Sequence, residues 1–139
     1  MYCLKTQADF DAAHFLKDYN GKCSNIHGHH WFIEIEIISD TIQEYGNYKG
    51  MVIDFNDIKR DLKTEIDKFD HTLIIEKNSL KDNTINALYN EGFKINIMPF
   101  RPTAENLACY FYNKMKSYNY DVKKVRVYET PNNCAEYWE

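Results

Sequence analysis

Residues 2–14 alternate loosely. Leu4, Ala8, Phe10 and Ala12 share one parity, and Lys5, Gln7, Asp9 and Asp11 take the other. This predicts a half-buried strand, which His14 ends on the apolar parity. Residues 15–26 are mostly polar with one glycine and read as a loop. A clearer strand runs from His29 to Ser39, with Trp31, Ile33, Ile35 and Ile37 on one face and Glu34 and Glu36 on the other. His27 and His29 carry the parity of the apolar face. Gly46 and Gly50 flank a turn, and Met51–Phe55 reads as a third strand. Over residues 56–69 the period lengthens: Phe55, Ile58, Leu62, Ile66 and Phe69 recur at three- and four-residue steps, an amphipathic helix that Asp54 or Asn56 can cap. A second helix opens at Pro102-Thr103, with Thr103 as N-cap and Ala104, Leu107, Ala108, Phe111 and Met115 as its stripe. A last strand covers about 122–130, where Val125, Val127 and Glu129 share a face. Between the helices, Ser79–Glu91 suggests a short helix and Lys94–Met98 a short strand. The order is that of an α+β fold, an antiparallel sheet with helices on one face.

Composition narrows the setting. At 139 residues the chain suits one domain, 1–139, and neither repeats nor a Pro/Gly/Ser-rich linker interrupt it. Hydrophobic residues at 44% and aromatics at 15% exclude an intrinsically disordered chain. With 17 Lys+Arg against 21 Asp+Glu, the formal charge is −4 and the charges are scattered, which argues against a nucleic-acid partner. The apolar runs are far short of the ~20 residues a membrane span needs, and the N-terminal residues lack a signal-peptide pattern. A cytoplasmic protein is the expectation, with Cys3, Cys23, Cys109 and Cys134 as reduced thiols.

The sharpest chemistry lies in His27-Gly28-His29. Residues i and i+2 of a strand point the same way, so two imidazoles project from one face. If the first two strands pair antiparallel through the 15–26 loop, His14 joins them. Three imidazoles with an open fourth position describe a catalytic zinc site, although imidazole also suits other first-row metals. Alternation sends His30 to the opposite face. Cys23, four residues before His27, is either a fourth ligand closing a structural site or a free thiol acting as nucleophile or base. Asp70-His71 follows the first long helix. It reads either as a carboxylate orienting an acid–base imidazole or as a helix-terminal histidine on the macrodipole. Glu129 ends a strand on an apolar face, where a buried carboxylate needs a partner. Glu105 in a first helical turn suits the helix dipole.

Six segments resemble, in order along the chain, the pterin synthase family that includes 6-pyruvoyl-tetrahydropterin synthase and the 6-carboxy-tetrahydropterin synthase of the queuosine pathway. They are Phe10–His14, Lys22–His29, Met51–Phe55, Asp70-His71, Pro102–Leu107 and Tyr128–Pro131. The resemblance implies a T-fold: a four-stranded antiparallel sheet with two main helices on one face, oligomerising into a β-barrel as a homo-oligomer, commonly a hexamer of two trimers. It implies His14, His27 and His29 as zinc ligands, and Cys23, Asp70 and His71 as the catalytic set. Glu129 becomes the carboxylate that anchors the pterin, with Thr103 and Glu105 lining the pterin pocket. The implied reaction converts 7,8-dihydroneopterin triphosphate to 6-carboxy-tetrahydropterin, acetaldehyde and triphosphate, at sites lying between subunits and with no redox cofactor. The alternatives are the 6-pyruvoyl product and, in a different class, a non-catalytic zinc protein with Cys23 as fourth ligand. Residues 72–100 form an insertion relative to compact members.

Overall fold

The computed structural model describes residues 1–139. Its frame is a pair of long antiparallel strands, β1 (Tyr2–His14) and β2 (His27–Ser39). They stay in register from Tyr2 opposite Ser39 to His14 opposite His27. That register follows from the alternation, because a one-residue slip would turn every apolar side chain to the wrong face. On the inner face Phe10, Ala12, Trp31, Ile33, Ile35 and Ile37 are buried. On the other face Glu34 and Glu36 meet Lys5 and Arg126.

Helix α1 (Phe55–Ile66) starts where the Asp54 carboxylate accepts the Asn56 N–H at 2.8 Å. It buries Ile58, Leu62 and Ile66 against the inner face. Phe55, expected in the same stripe, is instead exposed and lies across a shallow cavity from Lys5, Thr6 and Gln7. Helix α3 (Ala104–Ser117) buries Leu107, Ala108, Phe111, Tyr112 and Met115 on the same side of the sheet. Phe10, Trp31, Phe69 and Phe111 pack at the centre, with Phe10 5.9–6.3 Å from the other three rings. α1 and α3 are thus the two main helices of the expected layer.

The sheet is larger than expected and not wholly antiparallel. It has six strands, in the order β4 (Ile95–Met98), β3 (Thr72–Glu76), β1, β2, β5 (Val122–Thr130) and β6 (Asn133–Tyr137). β5 and β6 extend the β2 edge antiparallel. β3 joins the β1 edge in parallel at Ala12–His14, and β4 joins β3 in parallel. Helix α2 (Asp82–Asn90) is the crossover that two parallel strands require. The 72–100 segment is therefore a β-α-β unit continuing the sheet, and it accounts for both the third helix and the parallel pairs. The strand expected at Met51–Phe55 is absent. Backbone groups there close the preceding loop, with Gln43 N–H donating to Met51 C=O and Met51 N–H to Tyr48 C=O, and the chain then enters α1. Gly46 and Gly50 make this loop with φ of +79° and +84°, which favours glycine.

Candidate functional site

The β1–β2 register delivers the three imidazoles. His14 pairs with His27, and His29 lies opposite Ala12, whose methyl leaves room above it. The side-chain nitrogens of His14, His27 and His29 lie within 4.8 Å of one another, a group able to hold a metal ion. Cys23 is outside that group. His14 is 1% exposed, so the site sits at the edge of the core. Gly28 is not required for space, since a Cβ there would meet only Ala12 O at 3.7 Å.

Two rings are fixed from behind. His14 Nδ1 is 2.7 Å from Pro102 O, and His27 Nδ1 is 2.7 Å from Asn25 O. A carbonyl only accepts, so each Nδ1 carries the proton and each Nε2 carries a lone pair. Those two Nε2 atoms face each other at 3.1 Å. Two neutral acceptors have nothing to exchange at that distance. Protonation is disfavoured as well. Burial lowers the His14 pKa to about 4, with His27 and His29 adding to the effect against the Pro102 hydrogen bond. Burial also lowers that of His29, opposed by Glu129. The Nε2 of His29 is buried without a hydrogen-bond partner. The facing Nε2 atoms of His14 and His27 and the partnerless Nε2 of His29 fit a bound cation.

Glu129 of β5 reaches this group, with Oε1 3.5 Å from His29 Nε2. It is half-buried, as a strand residue sharing the face of Val125 and Val127 should be. Thr103 caps α3, its hydroxyl accepting the Asn106 N–H at 3.3 Å. The preceding Pro102 carbonyl is the His14 anchor, so the start of α3 and the imidazoles are one unit. Glu105 is exposed in the first turn of α3. Cys23 is half-buried in a 3-10 turn, Lys22–Ser24, and its carbonyl accepts the Leu16 N–H at 2.8 Å.

Asp70 and His71 stand apart from the imidazoles. His71 Nδ1 lies 3.0 Å from Asp70 Oδ1, and the backbone of Asp11 clamps both. Asp11 N–H donates to Asp70 Oδ1 at 3.0 Å, and His71 N–H donates to Asp11 C=O at 2.7 Å. The Asp11 N–H, then His71, hold the Asp70 carboxyl below its usual range. His71 has a φ of +56°, an uncommon conformation for a residue with a Cβ. It lines a cavity of about 710 Å³ with Asp11, Ala13, His30 and His29, the one residue of the imidazole group that borders it. The other wall comes from the β-α-β unit, including Leu73, Leu88 and Phe93. The expected Cys–His–Asp set is therefore not assembled within one chain: Asp70 and His71 group with Asp11, while Cys23 belongs to neither group. His30 points away from the metal group as expected, bonded to Asp11 at 2.8 Å and Asp9 at 3.0 Å.

The residues that sequence reasoning missed act through their backbones. Asn25 and Pro102 hold imidazoles, and Asp11 holds the Asp70–His71 pair. No side-chain type announces a carbonyl's role, and only the nearness of Asp11 and Pro102 to conspicuous motifs hinted at them.

Residues 3–139 match the family model described as 6-pyruvoyl tetrahydropterin synthase. A 6-carboxy-5,6,7,8-tetrahydropterin synthase of Haemophilus influenzae is 35% identical over 142 positions, covering all of both chains. One from Rickettsia conorii is 37% identical over 134 positions, covering 92% of this chain and 94% of its own. Among solved structures, the Caenorhabditis elegans 6-pyruvoyl tetrahydropterin synthase superposes with a TM-score of 0.71 at 24% identity, over 99% of this chain and 95% of that one. An uncharacterized protein from Wolinella succinogenes superposes at 0.80 and 20% identity, over 99% and 98%. These structural likenesses concern the fold.

Proposed function

Because the chain belongs to the 6-pyruvoyl tetrahydropterin synthase family, we propose that it is a zinc-dependent 6-carboxy-tetrahydropterin synthase acting on 7,8-dihydroneopterin triphosphate. The observation that carries this reading is three clustered imidazoles with a carboxylate 3.5 Å from one of them, in a chain that aligns end to end with a relative bearing the carboxy name.

His14, His27 and His29 are the residues to hold the metal, which when bound supplies Lewis acidity to the substrate's side-chain hydroxyls. Glu129 accepts two hydrogen bonds from the amino-pyrimidinone edge of the pterin, the fork geometry a carboxylate offers to guanidinium. Thr103, at the start of α3, and Glu105, one residue into the helix, flank the same pocket. Cys23 takes and returns protons at the side-chain carbons, and His71, oriented by Asp70, is the partner acid and base. Triphosphate leaves by elimination, and side-chain cleavage consumes one water, releasing acetaldehyde and leaving the 6-carboxylate. Because Asp70 and His71 group with Asp11 and not with Cys23, the set is completed between two copies, His71 of one serving Cys23 of the other. This supports a homo-oligomer of the barrel type, with one domain spanning 1–139.

Incubation of zinc-loaded protein with dihydroneopterin triphosphate tests the reading. Mass analysis should give 6-carboxy-tetrahydropterin with equimolar acetaldehyde. A 6-pyruvoyl product without acetaldehyde would move the protein to the sister reaction. Cys23→Ala should abolish turnover and keep the metal; loss of the metal would instead make Cys23 a fourth ligand.

A further inference from the structure

Of the three imidazoles, only two are hydrogen-bonded into position. Pro102 O fixes His14 and Asn25 O fixes His27, each at 2.7 Å. His29 has no such anchor, and its Nε2 is buried without a partner. A free imidazole on a strand keeps its rotation about χ2, which is broad for this ring type. Glu129 Oε1 lies 3.5 Å from that Nε2 and the His14 and His27 rings stand edge-on to His29, but a preformed ligand set also needs a neighbour whose own ring is fixed.

Trp31 is in place to do so. Its indole is fully buried and lies two residues along β2 from His29, on the same face. Its ring stands 5.4 Å from that of His29 at 82° and 5.0 Å from that of His14 at 88°, two perpendicular aromatic contacts made by one side chain. The indole cannot turn freely. Nε1–H donates to Ala12 O at 3.3 Å across the sheet, and the ring stacks on Phe10 with centroids 6.2 Å apart and planes 12° apart. Ala12 is also the residue opposite His29 in the register, so one backbone position sets both the indole and the space for the imidazole.

We infer that Trp31 is a positioning residue for the metal group. Its fixed ring plane sets the plane of His29, and secondarily of His14, so that three lone pairs converge before any ion arrives. The perpendicular arrangement uses the favoured edge-to-face geometry of aromatic rings, worth a modest amount beyond area burial. Its larger effect is to remove ring orientations that would otherwise have to be frozen when an ion binds. This inference rests on the reading of the three imidazoles as a metal site.

The test measures zinc affinity of the full chain by competition with a chromophoric chelator, and the visible spectrum of the cobalt-substituted protein. Trp31→Leu keeps an apolar filling but no ring plane. It should lower zinc affinity by about 10- to 100-fold, the range for losing a residue that orients a ligand. It should also shift the cobalt spectrum away from the wild-type pattern. Trp31→Phe, which restores a ring, should recover most of both. Phe111→Leu, in the same core but touching no imidazole, should lower thermal stability and leave affinity and spectrum unchanged. Wild-type affinity in Trp31→Leu, or an equal affinity loss in Phe111→Leu, would overturn the inference while the metal reading stands. If Trp31→Leu fails to fold, Trp31→Met, another apolar filling without a ring, carries the test: it has to show the same loss of affinity and a shifted cobalt spectrum, and wild-type values of both refute the proposal. No zinc bound by the wild type would remove the metal reading itself and this inference with it.

Discussion

His14 illustrates how burial prepares a ligand. Its ring is almost wholly enclosed, and burial lowers its pKa from 6.5 to about 4. The unfolded chain binds a proton at His14 below pH ~6.5, and the metal-free native state does not until about pH 4. Stability of the metal-free protein therefore falls as pH drops through that window, by on the order of 3 kcal/mol for this group. Denaturant unfolding of the metal-free protein at pH 7 and pH 4 checks it. His14→Asn should show a smaller difference between the two pH values than the wild type, and equal differences would contradict the assignment. The same burial keeps the His14 Nε2 lone pair available to a cation in mildly acidic solution.

At the scale of elements, two side-chain caps determine where the main helices begin. Asp54 starts α1, and Thr103 starts α3 next to the carbonyl that holds His14. Thr103→Ala should cost about 1 kcal/mol and lower the melting temperature by about 4 °C. Asp54→Ala should cost a similar amount. Only the first should also weaken metal binding, because loosening the start of α3 moves Pro102. Calorimetry paired with metal titration separates the two, and equal metal affinities would mean that the helix start does not position His14. The β3-α2-β4 unit is the element whose pairing was hidden. Its strands are short, β4 having four residues, and pair in parallel. Parallel partners distant in sequence leave no hairpin signal.

At the scale of the molecule, the outer face of the sheet carries a ladder of charges that ties four strands together. Lys5 of β1 meets Glu36 of β2 at 2.9 Å. Arg126 of β5 meets Glu34, Glu36 and, on β6, Glu136. Burial pushes the Glu36 carboxyl up, but hydrogen bonds from Lys5 and Arg126 prevail and hold it at about 2. Since the unfolded value is near 4.5, this stability is fully present above that pH and is lost as pH falls toward about 2. Glu36→Gln should lower stability at pH 7 by about 2 kcal/mol, the loss of its charge-assisted hydrogen bonds, since Lys5 is half exposed and Arg126 keeps Glu34 and Glu136. It should also flatten the acid limb of the stability curve, which an unchanged acid midpoint would refute. The separation of Cys23 from His71 has a larger consequence. Cys23→Ala and His71→Ala should each be inactive alone. Unfolded together and refolded as a mixture, they should regain part of the wild-type activity, since some interfaces then combine an intact Cys23 with an intact His71. No recovery in mixed oligomers would place the set within one chain.

Alternation in β1 and β2 was sufficient to predict three imidazoles on one face, because a strand's side-chain period is two and the buried face admits one register. The three- and four-residue steps of α1 and α3, and their capping residues, were equally local and equally readable. Phe55 shows where periodicity stops: it shares the stripe, yet at the first helical position it lies over polar β1 residues. Met51–Phe55 shows the same limit, for an apolar run becomes a strand only where a partner strand takes its hydrogen bonds. What tertiary structure alone decided was the six-strand order, the carbonyls of Asn25 and Pro102 behind the imidazoles, and the Asp11 backbone that gathers Asp70 and His71. Each depends on contacts between residues far apart in the chain. His14 and Pro102, or Asp11 and Asp70, meet because the sheet and helices close around them, and no spacing along the chain encodes that distance.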